Sequence, residues 1–195
     1  RHFASFAKVP CFDPSSVQEA YEMIQEAFDF SERYHTPVFL RPTTRIDHGY
    51  ASITVKDESE YCVHEPEGFE RDPARWVIFP RLSYRAHQAI EQRNEELGEV
   101  FSSYARNQLE LGVASCRRGI ATQGVSYSYV AETLAERADE AREMPRVLKV
   151  ATPFPFPEKL AVEFLQGLDE VLCIEELDPV IERELIFLCG KYQLP

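Results

Sequence analysis

Apolar residues recur along this chain at two spacings, and the alternation between those spacings predicts an α/β protein. Val9 to Phe12 reads as a short strand. After Asp13-Pro14, Ser16 with Glu19 three positions later makes a capping box, in which each side chain can satisfy an orphan amide of a first helical turn. Val17, Ala20, Tyr21, Ile24, Ala27 and Phe28 then repeat at the three-and-four spacing, with Glu22, Gln25, Glu26 and Asp29 opposite, so the apolar set is the face expected against a sheet. The helix should end near Tyr34, because Pro37 cannot extend it and disfavours helical geometry at Thr36. Val38-Phe39-Leu40 follows as a buried strand and completes one βαβ step with parallel strands.

The stretch 51–115 is mixed. Ser52 to Val55 alternates like a strand, Trp76 to Phe79 reads as another, and an acidic loop bearing Pro and Gly lies between them. From Ser83 to about Gln108 a long amphipathic helix is expected, with Ala86, Ile90, Leu97, Val100, Phe101 and Tyr104 along one stripe. It suits an arm between two domains or a core helix of one, and periodicity does not separate the two. From 116 to 195 three strand-and-helix units succeed one another. Gly119–Thr122 leads to a helix with Tyr127, Val130, Ala131, Leu134 and Ala138 on one face. Val147–Val150 leads to a helix opened by Pro157 and presenting Leu160, Phe164, Leu165 and Leu168 before a break at Gly167. Val171–Ile174, fully apolar as in a doubly covered sheet, leads to a last helix capped by Asp178-Pro179 and ending near Gly190.

One loop carries candidate chemistry. Arg41, Thr43, Thr44, Arg45 and His48 follow the strand ending at Leu40, and in open α/β sheets the carboxyl ends of strands face the ligand crevice. Two arginines, two hydroxyls and an imidazole there could hold a carboxylate or phosphate. On spacing alone the plainer reading of the same residues is a solvated connection with structural salt bridges. Elsewhere the motifs fail. Gly124-Val125-Ser126-Tyr127-Ser128 has a serine where a nucleophile elbow needs its second glycine, and the last histidine, His87, precedes it. Neither three spaced glycines for a dinucleotide nor a Walker loop is present. Glu175-Glu176 reads as a solvated strand end, since adjacent residues of an extended chain point apart. No catalytic, cofactor-binding or metal-ligating residue is assigned.

Charge and cysteine usage narrow the partners. With 33 acidic against 21 basic residues and a net charge of −12, the chain would be repelled by a nucleic-acid backbone. No apolar run approaches the length of about 20 residues that spans a bilayer. Five dispersed cysteines (Cys11, Cys62, Cys116, Cys173, Cys189) without a C-x-x-C pair fit reduced thiols in a cytoplasmic protein, with Cys173 and Cys189 as small buried hydrophobes. A start at Arg1 rather than Met, without a signal peptide, suggests an excised piece.

Several runs resemble the large (alpha) subunit of indolepyruvate ferredoxin oxidoreductase, a thiamine-diphosphate-dependent 2-oxoacid oxidoreductase family. They are Arg1-His2-Phe3-Ala4 through Lys8-Val9-Pro10, Asp13 through Tyr21, Arg41-Pro42-Thr43-Thr44-Arg45 with His48, Gly124 through Val130, Ala151-Thr152-Pro153-Phe154-Pro155-Phe156-Pro157-Glu158-Lys159-Leu160, and Asp169 through Pro179. The resemblance is weakest between about Tyr50 and Pro73. It implies the C-terminal half of a pyrimidine-binding-type parallel α/β domain at 1–50, a connecting segment with a long helical arm at 51–115, and a transketolase-C-like parallel α/β domain at 116–195. It implies oxidative decarboxylation of aryl 2-oxo acids to acyl-CoA with electrons passed to ferredoxin, using thiamine diphosphate, magnesium and 4Fe-4S clusters in the whole enzyme. The partners implied are the remaining domains of the same subunit, a beta subunit, ferredoxin and CoA.

The family's activating glutamate, its Gly-Asp-Gly motif and its clustered cysteines have no counterpart here, so the expectation is an inactive piece that binds none of these cofactors by itself. Two other readings stand beside it: a non-enzymatic α/β interaction module, and a small-anion-binding domain using the Arg41–His48 loop. Exposed apolar residues around Phe3, Phe6 and the Phe154–Phe156 loop would favour the enzyme piece over the module.

Overall fold

The computed structural model describes residues 1–61, 65–66, 68–137 and 144–194. The chain opens with helix α1 (His2–Ala7), strand β1 (Cys11–Phe12), helix α2 (Val17–Tyr34) and strand β2 (Phe39–Leu40), followed by the short helices α3 (Thr44–Asp47) and α4 (Pro73–Trp76). Helix α5 (Pro80–Ser102), strand β3 (Gln108–Glu110), strand β4 (Arg118–Gln123) and helix α6 (Gly124–Glu136) come next. Strand β5 (Arg146–Val150), helix α7 (Glu158–Leu165), strand β6 (Glu170–Ile174) and helix α8 (Ile181–Tyr192) complete it.

Strands β1 and β2 pair in parallel, Cys11 with Phe39 and Phe12 with Leu40, so the expected βαβ step is present. A four-stranded sheet has the order β3-β5-β4-β6, in which β4 pairs in parallel with both β5 and β6. The mixed α/β class agrees with the sequence. The antiparallel edge strand β3 does not appear in that reading. Gln108, the expected end of the long helix, instead opens a strand, and Gln108–Glu110 pairs antiparallel with Val147–Lys149. Helix α5 stops at Ser102, and the Asn107 side chain pins the turn between α5 and β3 by donating to Phe101 O at 2.8 Å and accepting from Ala151 N at 2.7 Å.

Two apolar cores result. In one, Leu148, Val150 and Ala121 of the sheet pack against Phe164, Leu165 and Leu168 of the α7 region and against Ile181, Leu185 and Leu188 of α8. In the other, Phe12, Met23, Ala27, Leu97, Phe101 and Ala151 bring together β1, α2, α5 and the end of β5. Phe12 is fully buried and meets Phe30, Phe101 and Tyr104 edge-on at centroid distances of 5.3, 5.6 and 5.7 Å. Such pairs contribute about 0.5–1.5 kcal/mol each beyond area burial. The second half of helix α5 contributes Leu97 and Phe101 to this core, and its first half is exposed.

Several expectations are corrected. Helix α2 turns a different face inward: Glu19, Met23 and Ala27 are buried, whereas Ile24 and Phe28 are exposed, Phe28 by 69%. The capping box is half made, since Ser16 accepts from Glu19 N at 3.1 Å but the Glu19 carboxylate turns to Ser15 instead. The strand after α2 is shorter than Val38–Leu40, and Phe39 is exposed. Neither Ser52–Val55 nor Trp76–Phe79 is a strand; Trp76 ends α4, and Pro80 starts α5 three residues before the expected Ser83. Strand β6 lies at a sheet edge with Leu172 59% exposed, so it is not doubly covered. Cys173 and Cys189 are half-buried rather than core. On α6, Val130 is buried as expected but Ala131 is exposed, while Ala138 and Cys62 lie outside the described residues.

Candidate functional site

Every strand of both sheets except the antiparallel β3 delivers its carboxyl end to one place. Asp13 follows β1, Arg41 follows β2, Gly124 follows β4, Ala151 follows β5, and Glu175-Glu176 follow β6. Backbone bonds fix the meeting, with Asp13 N donating to Ala151 O at 2.8 Å and Arg41 N donating to Phe12 O at 2.7 Å. Gly124, at φ +50°, lets the chain turn into α6 so close to Asp13 that a Cβ there would sit 2.8 Å from its Oδ1.

The charges at this junction are mutually satisfied. Arg41 Nη1 lies 3.3 Å from Asp13 Oδ2, and Arg41 Nη2 donates to Glu176 Oε2 at 3.0 Å. Arg1 pairs with Glu175 at 3.3 Å and donates to the Glu176 carbonyl. Glu175 also accepts from the amides of Val180, Ile181 and Glu182 at 2.9–3.0 Å, so its carboxylate holds the positive N-terminal end of α8. This corrects two readings at once: Glu175 is a buried cap rather than a solvated strand end, and Asp178 is not the cap of α8. Asp13 is fully buried, and burial outweighs the nearby guanidiniums, raising its carboxyl to about 6.

A second charged pair lies on the opposite face of β5. Because side chains alternate along a strand, Leu148 and Val150 enter the apolar core while Lys149 points the other way. There its ammonium donates to Glu19 Oε1 at 2.6 Å and lies 4.7 Å from the Tyr127 ring centroid. Glu19 Oε2 accepts from Ser15 N and Ser15 Oγ, both at 2.6 Å, so the buried carboxylate has partners on both oxygens.

The five candidate residues of the 41–48 loop do not converge. Arg41 is committed to Asp13 and Glu176. Thr43 is buried, and its hydroxyl has no hydrogen-bond partner. Thr44, Arg45 and His48 lie on or beside α3 and are exposed, with the Arg45 guanidinium 5.9 Å from the half-exposed Tyr129 ring of α6. The exposed strip Thr44–Arg45–His48 beside Tyr129 can present a planar cation and an imidazole to an anion. Sequence reading missed Asp13, Glu19, Lys149 and Glu175. A visible signal did exist for Lys149, a charge inside the apolar run Val147–Val150, which demands a buried partner.

Among the described residues no group of three His, Cys, Asp or Glu could hold a metal ion, and the chain contains no Gly-Asp-Gly. Burial pushes the thiols of Cys11 and Cys173 up to about 12, away from the thiolate form. Ser126 is buried.

Comparison with known proteins places this architecture. The chain is 37% identical over 188 residues to the indolepyruvate oxidoreductase subunit IorA of Pyrococcus abyssi, covering 95% of this chain and 28% of that protein. Against IorA of Methanothermobacter thermautotrophicus it is 36% identical over 196 residues, 100% of this chain and 30% of that one. Over nearly its whole length the chain is similar to IorA proteins. It spans less than a third of those relatives. No family model matches the chain. Its fold is similar to that of 2-oxoglutarate:ferredoxin oxidoreductase from Magnetococcus marinus, solved with 2-oxoglutarate, coenzyme A and succinyl-CoA bound. The TM-score is 0.60 at 15% identity, over 93% of this chain and 37% of that one. No helix among the described residues is long and apolar enough to cross a membrane.

Proposed function

We propose that this chain is part of an oxidoreductase that oxidatively decarboxylates aryl 2-oxo acids such as indolepyruvate to acyl-CoA and passes the electrons to ferredoxin. The observation that carries this reading is the relation to IorA over essentially the whole chain. In this reading 1–50 is the closing half of a pyrimidine-binding-type domain, 51–115 connects, and 116–195 is transketolase-C-like. The complete cytoplasmic enzyme supplies thiamine diphosphate, magnesium and 4Fe-4S clusters through its other parts, and the beta subunit and ferredoxin dock on the assembled protein.

Within that assembly the chain's residues position and bind. Arg45, with Thr44 and His48, holds the substrate carboxylate, because Arg45 presents its planar donors outward from the loop. Arg41 is a tether that fixes the loop to Asp13 and to Glu176. Exposed Phe3 and Phe6, and the bare Ile24–Phe28 side of α2, are faces that the rest of the subunit covers. The Phe154–Phe156 loop is largely packed, so it adds little to that argument.

Two measurements test the reading. Calorimetric titration of the isolated chain with thiamine diphosphate and magnesium should give no micromolar binding, and such binding would overturn the fragment reading. In the whole enzyme, Arg45→Ala should cut kcat/KM for indolepyruvate about ten- to a hundredfold, the size of a lost charge-assisted hydrogen bond. Unchanged kinetics would remove Arg45 from the site.

A further inference from the structure

From 73 to 90 the chain has no Asp or Glu, although its net charge is −12. The same stretch carries Arg75, Arg81 and Arg85, all exposed. It comprises α4 and the first half of α5, and its apolar residues are uncovered: Trp76, Val77, Ile78 and Phe79 are exposed in succession, Ile78 by 71% and Phe79 by 66%. Tyr84, one turn into α5, is exposed as well. None of these residues joins either apolar core.

Local bonds nevertheless hold the segment in place. The Asp72 side chain accepts from Ala74 N at 2.9 Å and starts α4, and Trp76 Nε1 donates to Glu70 O at 3.0 Å. The Arg75 guanidinium lies 4.5 Å from the Trp76 ring centroid, and the exposed Phe69 ring is 6.2 Å from it. Trp and Arg fixed before binding are the residue types that dominate association energy, since little side-chain entropy remains to be lost.

We propose that 69–85 is a docking surface for an acidic protein face bearing apolar side chains, belonging to the partner subunit of the parent enzyme. This rests on the functional reading above. Charge selects the occupant: Arg75, Arg81 and Arg85, in a stretch of 73–90 without Asp or Glu, complement an acidic face, whereas a chain at −12 is repelled by anionic lipid and by its own copy.

The test uses the whole IorA-type subunit and its partner subunit, purified separately and mixed, with affinity measured at low and at physiological salt. Ile78→Ser with Phe79→Ser should weaken association at least about tenfold at both salts, because it removes apolar anchors. Arg81→Glu with Arg85→Glu should weaken it at least about tenfold at low salt and flatten the salt dependence, while Arg81→Lys with Arg85→Lys retains most binding. Circular dichroism and the thermal midpoint should not move, since the altered side chains are exposed. Wild-type affinity in both disruptive variants overturns the surface. Self-association lost in those variants, or binding to phosphatidylserine vesicles lost in them, also overturns it by assigning another occupant. If the wild-type subunits do not associate at all, the parent-enzyme reading falls with it; variants that still bind remove the surface alone.

Discussion

The ammonium of Lys149 and the carboxylate of Glu19 meet at 2.6 Å with both side chains only 7% exposed, joining helix α2 to strand β5 across 130 positions of sequence. Both charges are largely removed from water, so each depends on the other and on the groups around them, Ser15 and the Tyr127 ring. Arg41 to Glu176 and Arg1 to Glu175 are further charged links between the first fifty residues and the strand ends of the larger sheet.

Lys149→Met should therefore destabilise the chain by about 3–5 kcal/mol, because it strands a buried carboxylate. Adding Glu19→Gln should recover part of that loss, giving a double variant less destabilised than the sum of the singles. Chemical denaturation of the four proteins of the cycle measures both; additive losses would mean the two charges do not interact.

Replacing Glu175 with Ala should cost about 2 kcal/mol, since three amides at the start of α8 and Arg1 all lose their acceptor. Asp178→Ala, which removes the residue that the sequence offers as the cap, should stay within about 0.5 kcal/mol. Thermal unfolding of the two variants side by side distinguishes the roles.

The buried Asp13 sets a pH dependence of definite sign. Its folded value of about 6 lies above the ordinary 3.8, so between these values the folded chain binds more protons than the unfolded one. Stability from this group is therefore greatest below about pH 4, falls as the pH rises to about 6, and is level above that. The total change is about 2–3 kcal/mol. Asp13→Asn should remove that component, so the stability difference between variant and wild type should change across pH 4–6 and be flat from 6 to 8.

Gly124→Ala should cost at least about 1–3 kcal/mol. It forces a side chain into positive φ and sets its Cβ against the Asp13 carboxylate. Pairing it with Asp13→Ala, which clears the crowding, should recover only the steric part and leave the backbone strain, a split readable by denaturant titration.

Local pattern determined much of this protein by itself. The parallel step around α2, the strands β4, β5 and β6, and the helices α7 and α8 follow from hydrophobic spacing and proline placement, which act over a few residues. The polar loop after β2 was legible for the same reason, since its position depends only on where the strand stops. Tertiary structure alone decided which face of α2 is buried, that Gln108–Glu110 is a strand, that Glu175 rather than Asp178 caps α8, and that Arg41 is already neutralised while Arg45 is not. Each of these depends on a partner that only folding brings near, such as Val147 for Glu110 or Asp13 and Glu176 for Arg41. Periodicity says that a side chain must be buried or a charge compensated. It carries no information on which distant residue does it, because that choice is made by packing energies summed over the whole core.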